Sequence, residues 1–258
     1  MIGLMGDLPL SLDLLLRRAE SGHPEKGIVT ATPAGPTRRS YGVLAERVAR
    51  LAGALDEMGV AADARVASLC WSTVEHLELY FAVPCSGRVL HTLNPRFRPD
   101  QLAEVIREAA DETIFVHRSL AGLLVGVLPA VDCVRRVVII DDGSATEVPP
   151  LPGVEVLDHE QVVGGGSARA LGASDERGAA GLCHTGGTTG LPKGGLYSHR
   201  SLVLHALATT TAGGIAIEER DVAMPVVPLF HANAVGFAHA AVGTGATLVL
   251  PGPDLSGP

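Results

Sequence analysis

Lysine is nearly missing from this chain of 258 residues: of its 20 Lys and Arg side chains, only Lys26 and Lys193 are lysines and 18 are arginines. Against an arginine background, a lysine set in a loop is not read as filler. Cysteine is scarce and scattered. Cys70, Cys85, Cys133 and Cys183 form no CxxC pair and no Cys/His cluster, so neither a zinc site nor a disulfide framework is indicated, and all four read as buried thiols. Positive charge is in deficit, and the net charge of −8 argues against a nucleic-acid surface. No apolar run approaches the roughly 18 residues that mark a membrane span. The opening MIGLMGDLPLSLDLLLRRAE has Asp7 and Asp13 within its apolar stretch and no basic leader, which is not a secretory signal. No internal repeat is evident. These absences leave a soluble protein, expected in the cytoplasm.

What is present is enough apolar material for a sizeable core, 47% of the residues. Strand and helix patterns alternate along the chain, which predicts an α/β fold with a largely parallel sheet and covering helices. A first helix is expected from a Ser11 cap through Glu20, closed by Gly22 and Pro24, and a small hairpin from Ile28–Thr32 and Arg38–Tyr41. Leu44, Val48, Leu51, Leu55 and Met58 recur at three and four, predicting an amphipathic helix that stops at Gly59. Strands are expected near 65–70, 89–93, 113–116 and 137–140, with helices near 74–83, 100–110 and 120–128. Residues 141–175, rich in Gly, Pro and Ser, read as an irregular connection between sub-lobes 1–140 and 176–258. Beyond it, strands are expected at 179–183, 195–197, 221–227 and 246–250, and helices at 201–210 and 232–242.

The chemistry concentrates in His184 to His199, HTGGTTGLPKGGLYSH. Gly186, Gly187 and Gly190 carry no Cβ and tolerate positive φ, so successive backbone N–H groups can turn into one concavity and approach an anion closely. Thr185, Thr188 and Thr189 add hydroxyls able to donate to phosphate oxygens or reach hydrated Mg²⁺, and Lys193 adds a mobile point charge. Together they suit a polyphosphate. A Walker-type loop would place Ser or Thr after the lysine at a helix mouth. Here Pro192 precedes Lys193 and Gly194 follows it, so the lysine is expected on a turn. The GGxxG spacing also differs from the dinucleotide fingerprint GxGxxG.

The segment AAGLCHTGGTTGLPKGGLYSHRSLVLHAL resembles the signature loop of the AMP-binding, adenylate-forming superfamily, which includes the acyl-CoA synthetases. DVAMPVVPLFHANAVGF, Asp221 to Phe237, resembles that family's next motif, and LELYFAVPCSGRVLHTLNPR with LVLPGPDL is similar to the medium- and long-chain fatty acyl-CoA ligase branch. The resemblance implies ATP-dependent activation of a carboxylic acid to an acyl-adenylate and then to a coenzyme A thioester, with Mg²⁺ as cofactor. It assigns Lys193 and Thr185 to catalysis, residues Thr185, Gly186, Gly187, Thr188, Thr189, Gly190 and Lys193 to the nucleotide, and Thr185 to the metal. His231, Asn233, Val235 and Gly236 are implied to border the acid and adenine pockets. Gly186 stands where the family often has a hydroxyl, and Val235 where this branch often has tryptophan.

Members of the family are about twice as long, which implies that this chain is the N-terminal portion, an incomplete N-terminal domain without the C-terminal domain. A truncated remnant that binds nucleotide or a partner without turnover is the alternative. His205, His239, His76 and His91 sit in apolar contexts and read as interior or boundary residues, His199 reads as structural as readily as functional, and Asp141–Asp142 and Glu218–Glu219 read as solvated turns. The leucines from Leu10 to Leu16 suggest a homodimer through the N-terminal segment.

Overall fold

In the computed structural model, residues 6, 8–173, 175–186 and 192–253 are described, without the side chains of residues 232–235. The N-terminal leucines form α1 (Asp13–Gly22). Ser11 does not cap it: the Ser11 hydroxyl instead accepts from the amide of Ala173, 3.1 Å away. The hairpin follows as β1 (Gly27–Thr30) and β2 (Thr37–Ser40), paired antiparallel. The three-and-four spacing produces α2 (Tyr41–Glu57), capped where Ser40 Oγ accepts from the Val43 amide. Gly59 closes the turn at φ 69°.

From there strand and helix alternate as the sequence pattern implies: β3 (Arg65–Leu69), α3 (Val74–Ala82), β4 (Val89–Thr92), α4 (Pro99–Ala109), β5 (Thr113–His117), α5 (Ala121–Val127) and β6 (Arg136–Ile140). The connection expected to be irregular contains β7 (Glu155–Asp158) and α6 (His159–Gly165). Its later part is laid tightly along α2, where a Cβ on Gly53 would stand 1.8 Å from the carbonyl oxygen of Ser167. Arg169 adds an ion pair to Asp56 at 2.7 Å. Local sequence signals are weak here because this segment is fixed by pairing with β6 and by contact with α2 rather than by its own periodicity.

The chain closes with β8 (Ala179–Thr185), β9 (Lys193–Ser198), α7 (His199–Thr210), β10 (Val222–Ala223), α8 (Ala232–Thr244) and β11 (Thr247–Leu250). β10 is shorter than the strand expected over 221–227. Among the described residues, seven strands form one sheet in the order β7-β6-β5-β3-β4-β8-β9, and four form a second in the order β10-β11-β1-β2. Neighbours in the large sheet are parallel except the β8–β9 pair. Both sheets draw strands from before and after residues 141–175, so that stretch does not divide the secondary structure into separate sheets.

Successive residues of a strand face opposite sides, and the core divides accordingly. Ile114 and Val116 of β5 and Val137 and Ile139 of β6 join α4 and α5 in one apolar cluster. Phe115, Val138 and Ile140 join α1, α2, α3, α7 and α8 in the other. Strands covered on both faces read as near-continuous apolar runs, which is why these were legible. Leu12, Leu15 and Leu16 are buried within this second cluster, so these three leucines are used inside the molecule, while Leu10 and Leu14 are half-buried. Cys70, Cys85 and Cys183 are buried, with Cys133 half-buried. No helix among the described residues is long and apolar enough to cross a membrane.

Candidate active site

The signature loop leaves the sheet at the C-terminal end of β8, alongside the C-terminal end of its parallel neighbour β4. Crevices at this edge of an open α/β sheet are where such folds bind ligands. β8 and β9 pair antiparallel across the loop, with His184 opposite Gly194 and Thr185 opposite Lys193. Lys193 is therefore the first residue of a strand and not part of a turn. Pro192, which cannot donate to a ladder, sits just outside the strand mouth, where this is tolerated. Directly opposite residues present their side chains on the same face of a strand pair, so the Thr185 hydroxyl and the Lys193 ammonium share one side. Both residues are exposed. Lys26 is ion-paired with Glu219, whereas no described carboxylate lies within ion-pair distance of Lys193. Gly187, Thr188, Thr189 and Gly190 lie outside the described residues.

The second block is fixed against the same edge. The Leu229 amide donates to Ser72 Oγ at 3.0 Å, and the Tyr80 hydroxyl donates to the Leu229 carbonyl. Phe230 is buried, meets Trp71 edge-on at 6.3 Å, and carries the Arg96 guanidinium 5.8 Å above its ring. Cys183 Sγ lies 3.8 Å from the Phe230 carbonyl oxygen, which brings the two sequence blocks together. His231 follows with an exposed side chain at the start of α8. Gly236 faces α7, where a Cβ would come within 2.9 Å of the His205 ring. The side chains of Asn233 and Val235 lie outside the described residues. Trp71, Arg96 and Phe97 were not singled out by sequence reasoning. Their signal is position, since each lies just beyond the C-terminal end of β3 or β4.

Beneath the loop runs a buried polar chain. His91 Nδ1 lies 2.7 Å from Asp111 Oδ2, and His91 Nε2 lies 2.9 Å from His184 Nδ1. His184 Nε2 faces Glu108 Oε2 at 3.4 Å. Burial raises the Asp111 carboxyl above its ordinary value despite the neighbouring His91. Burial, then the adjacent His91, lowers the His184 imidazole. His91, His76 and His239 are interior, as expected. His205 is exposed at the boundary between α7 and α8, with its ring against Gly236. His199 is buried, with Nδ1 accepting from the Leu12 amide at 3.4 Å. Asp142 is not a solvated turn residue: it is buried and accepts from the Ser119 hydroxyl and amide. Glu218 and Glu219 are exposed.

Residues 16–257 match the family described as AMP-binding enzyme. The chain belongs to that family. Relatives of this AMP-binding chain include the 3-methylmercaptopropionyl-CoA ligase of Ruegeria pomeroyi, 40% identical over the whole of this chain and 48% of the relative. The medium-chain-fatty-acid–CoA ligase of Ectopseudomonas oleovorans is 36% identical over 100% of this chain and 47% of its own. The long-chain-fatty-acid–CoA ligase of Thermus thermophilus is 38% identical over 97% and 45%. The chain thus spans about half the length of the curated relatives it matches. Solved structures share the fold: an anthranilate CoA ligase in complex with anthranoyl-AMP superposes with a TM-score of 0.82 at 20% identity, covering 96% of this chain and 46% of that one. A long-chain-fatty-acid-CoA ligase from Archaeoglobus fulgidus gives 0.79 at 21%, covering 98% and 49%.

For an AMP-binding enzyme the donor set at the loop fits phosphate. It offers an ammonium without a described counter-ion, a hydroxyl on the same face, and Gly186, whose added Cβ would meet, among the described residues, only Phe97, at 3.6 Å. Among the described residues no group of three His, Cys, Asp or Glu could hold a metal ion. A divalent ion here would find in Thr185 one neutral oxygen ligand. Mg²⁺ commonly keeps several waters and takes further oxygens from substrate phosphates, and that donor set is compatible with it.

Proposed function

We propose that this chain carries the nucleotide-phosphate site of an ATP-dependent acid–thiol ligase, an acyl-CoA synthetase acting on a carboxylic acid of the fatty-acid class. The observation that carries this reading is the exposed Lys193, without a described counter-ion, opposite Thr185 at the C-terminal edge of the sheet. In the reaction, a carboxylate oxygen bonds to the α-phosphorus of ATP as the bond to pyrophosphate breaks. The thiolate of coenzyme A then bonds to the acyl carbon as AMP leaves. In the first step an anion approaches a polyanion, so the main demand on the protein is fixed positive charge and oriented donors at the phosphates.

Lys193 and Thr185 serve as the catalytic pair, with Gly186, Gly187, Thr188, Thr189 and Gly190 completing the phosphate loop. Thr185 also contacts the Mg²⁺, which when bound neutralises phosphate charge. His231, Asn233, Val235 and Gly236 border the acid-binding side. Thioester formation is proposed for the whole protein, as is a cytoplasmic setting. The relatives named for medium- and long-chain fatty acids support the acid class.

Calorimetric titration of the chain with Mg·ATP, with Lys193→Ala as control and pyrophosphate release followed with octanoate and palmitate, tests this. We expect Mg·ATP binding that weakens about ten- to a hundredfold in Lys193→Ala, as for loss of one charge-assisted contact. Binding that ignores the substitution would remove the reading. Binding without pyrophosphate release would make the chain a nucleotide-binding portion and not a complete catalyst.

A further inference from the structure

We propose that His184 is a positioning residue for the loop that bears Thr185 and Lys193, anchored by the buried hydrogen-bond chain that runs from Asp111 through His91. The proposal rests on the nucleotide reading above and adds the means by which the two phosphate-facing residues keep their places.

The anchor joins three separate parts of the fold. Asp111 follows α4, His91 lies on β4 and His184 on β8, and all three are buried, His91 and Asp111 completely. Such a chain is costly. Asp111 Oδ1 has no hydrogen-bond partner among the described residues, and buried polar groups left partly unsatisfied destabilise a fold relative to apolar packing. A core built for stability alone would place aliphatic side chains at these positions. What the hydrogen bonds supply is direction, because they fix where the imidazole of His184 sits and how its plane is turned.

That direction matters because of what lies on the other side of the ring. Gly194 is the cross-strand partner of His184. A Cβ on Gly194 would stand 3.0 Å from His184 Nε2 and 3.3 Å from Cε1. The imidazole therefore lies against the backbone of β9 immediately after Lys193, in space that a side chain at 194 would fill. Since side chains alternate along a strand, His184 projects from the face opposite Thr185 and Lys193. It does not reach toward the phosphates and acts through the backbone. Locking the His184–Gly194 rung holds the next rung, Thr185–Lys193, in register, and a slip of one residue would turn Lys193 to the wrong face.

The test uses the full chain, with Mg·ATP affinity and thermal stability measured together for His184→Phe, His184→Asn and His91→Leu. Phenylalanine keeps the ring and loses the hydrogen bond, whereas asparagine puts an amide where Nδ1 was. We expect His184→Phe and His91→Leu to weaken Mg·ATP about tenfold or more, the scale of one lost oriented contact, and His184→Asn to recover most of that loss. Wild-type affinity in a folded His184→Phe would overturn the proposal. So would equal losses in Phe and Asn variants that merely follow their melting temperatures, since that marks core filling. If His184→Phe fails to fold, the His184→Asn and His91→Leu pair decides on the same criteria. If neither wild type nor Lys193→Ala binds Mg·ATP, the nucleotide reading fails on its own, and amide hydrogen exchange at Lys193 to Gly195 reads the anchoring directly. Faster exchange there in His91→Leu, with other β-strand amides unchanged, would support the anchor; unchanged exchange would overturn it.

Discussion

Glu78 and Arg47 form a bidentate ion pair in the interior, with Arg47 Nε 2.5 Å and Nη2 3.2 Å from the two oxygens of a carboxylate whose side chain is 0% exposed. Arg39 joins the same carboxylate at 2.6 Å, and His159 Nε2 lies 3.6 Å away. The cluster ties β2, α2, α3 and α6 together below the small hairpin. Glu78→Ala removes the one fully buried carboxylate of the cluster, while Arg47 keeps Glu160 at 2.6 Å and Arg39 keeps Glu75 at 3.0 Å. It is expected to cost about 2–3 kcal/mol of stability, below the roughly 3–5 kcal/mol for a buried ion pair whose remaining partner is left alone. Chemical denaturation of the variant checks this, and a loss below about 1 kcal/mol, typical of exposed pairs, would mean the cluster is no more than surface charge.

Acidification should weaken the fold before most carboxylates titrate. Burial lowers His76 to about 3 and His117 to about 4 from the ordinary value of 6.5. His184 and His199 move in the same direction. Above 6.5 these rings are neutral whether the chain is folded or not. Below it the unfolded chain takes up protons that the fold refuses, so stability is lost as pH falls from 6.5 toward 4 and 3. Each fully refused proton contributes about 1.4 kcal/mol per pH unit. Asp111, raised by burial, works in the opposite sense, but it is one group against several. Urea denaturation at pH 7 and pH 5 reads the balance, and equal stability at the two would contradict it.

Gly194→Ala should be felt through His184. The new Cβ would stand 3.0 Å from the imidazole and 3.2 Å from Leu182 Cδ1. An overpacked site of this kind typically loses about 1–3 kcal/mol. Placed in a His184→Ala background, the same substitution should cost much less, because the ring it strikes is gone. A double-mutant cycle by thermal denaturation measures the coupling, and strict additivity would show that the two positions do not press on each other.

Deleting residues 1–21 should unfold the chain and not merely change its oligomeric state. Leu12, Leu15 and Leu16 are 0%, 7% and 1% exposed, and each buried leucine contributes on the order of 1.5–3 kcal/mol. Light scattering and melting of the deletion variant separate the possibilities. A truncated chain that melts like the intact one while halving in mass would restore the dimer.

Much of this protein was determined by sequence alone. The three-and-four spacing in α2 and the continuous apolar runs of β3 to β6 are local signals whose period is imposed by backbone geometry, so they were readable without contacts. The glycine, threonine and lysine composition of the loop likewise raised the expectation of phosphate chemistry, which rests on residue type and not on contacts. Only the tertiary structure decided the rest. The small strand β7 exists because it pairs with β6 at the sheet edge, and helix α6 because it packs on α2. The Ser11 hydroxyl bonds to Ala173 and not to its own helix, and α1 packs on α8 and α2. Asp142 is buried by Ser119, more than twenty residues away in sequence. Above all, Asp111, His91 and His184 come from positions that nothing in the sequence connects. A hydrogen bond depends on where three elements meet in space, and no periodicity along the chain records that meeting.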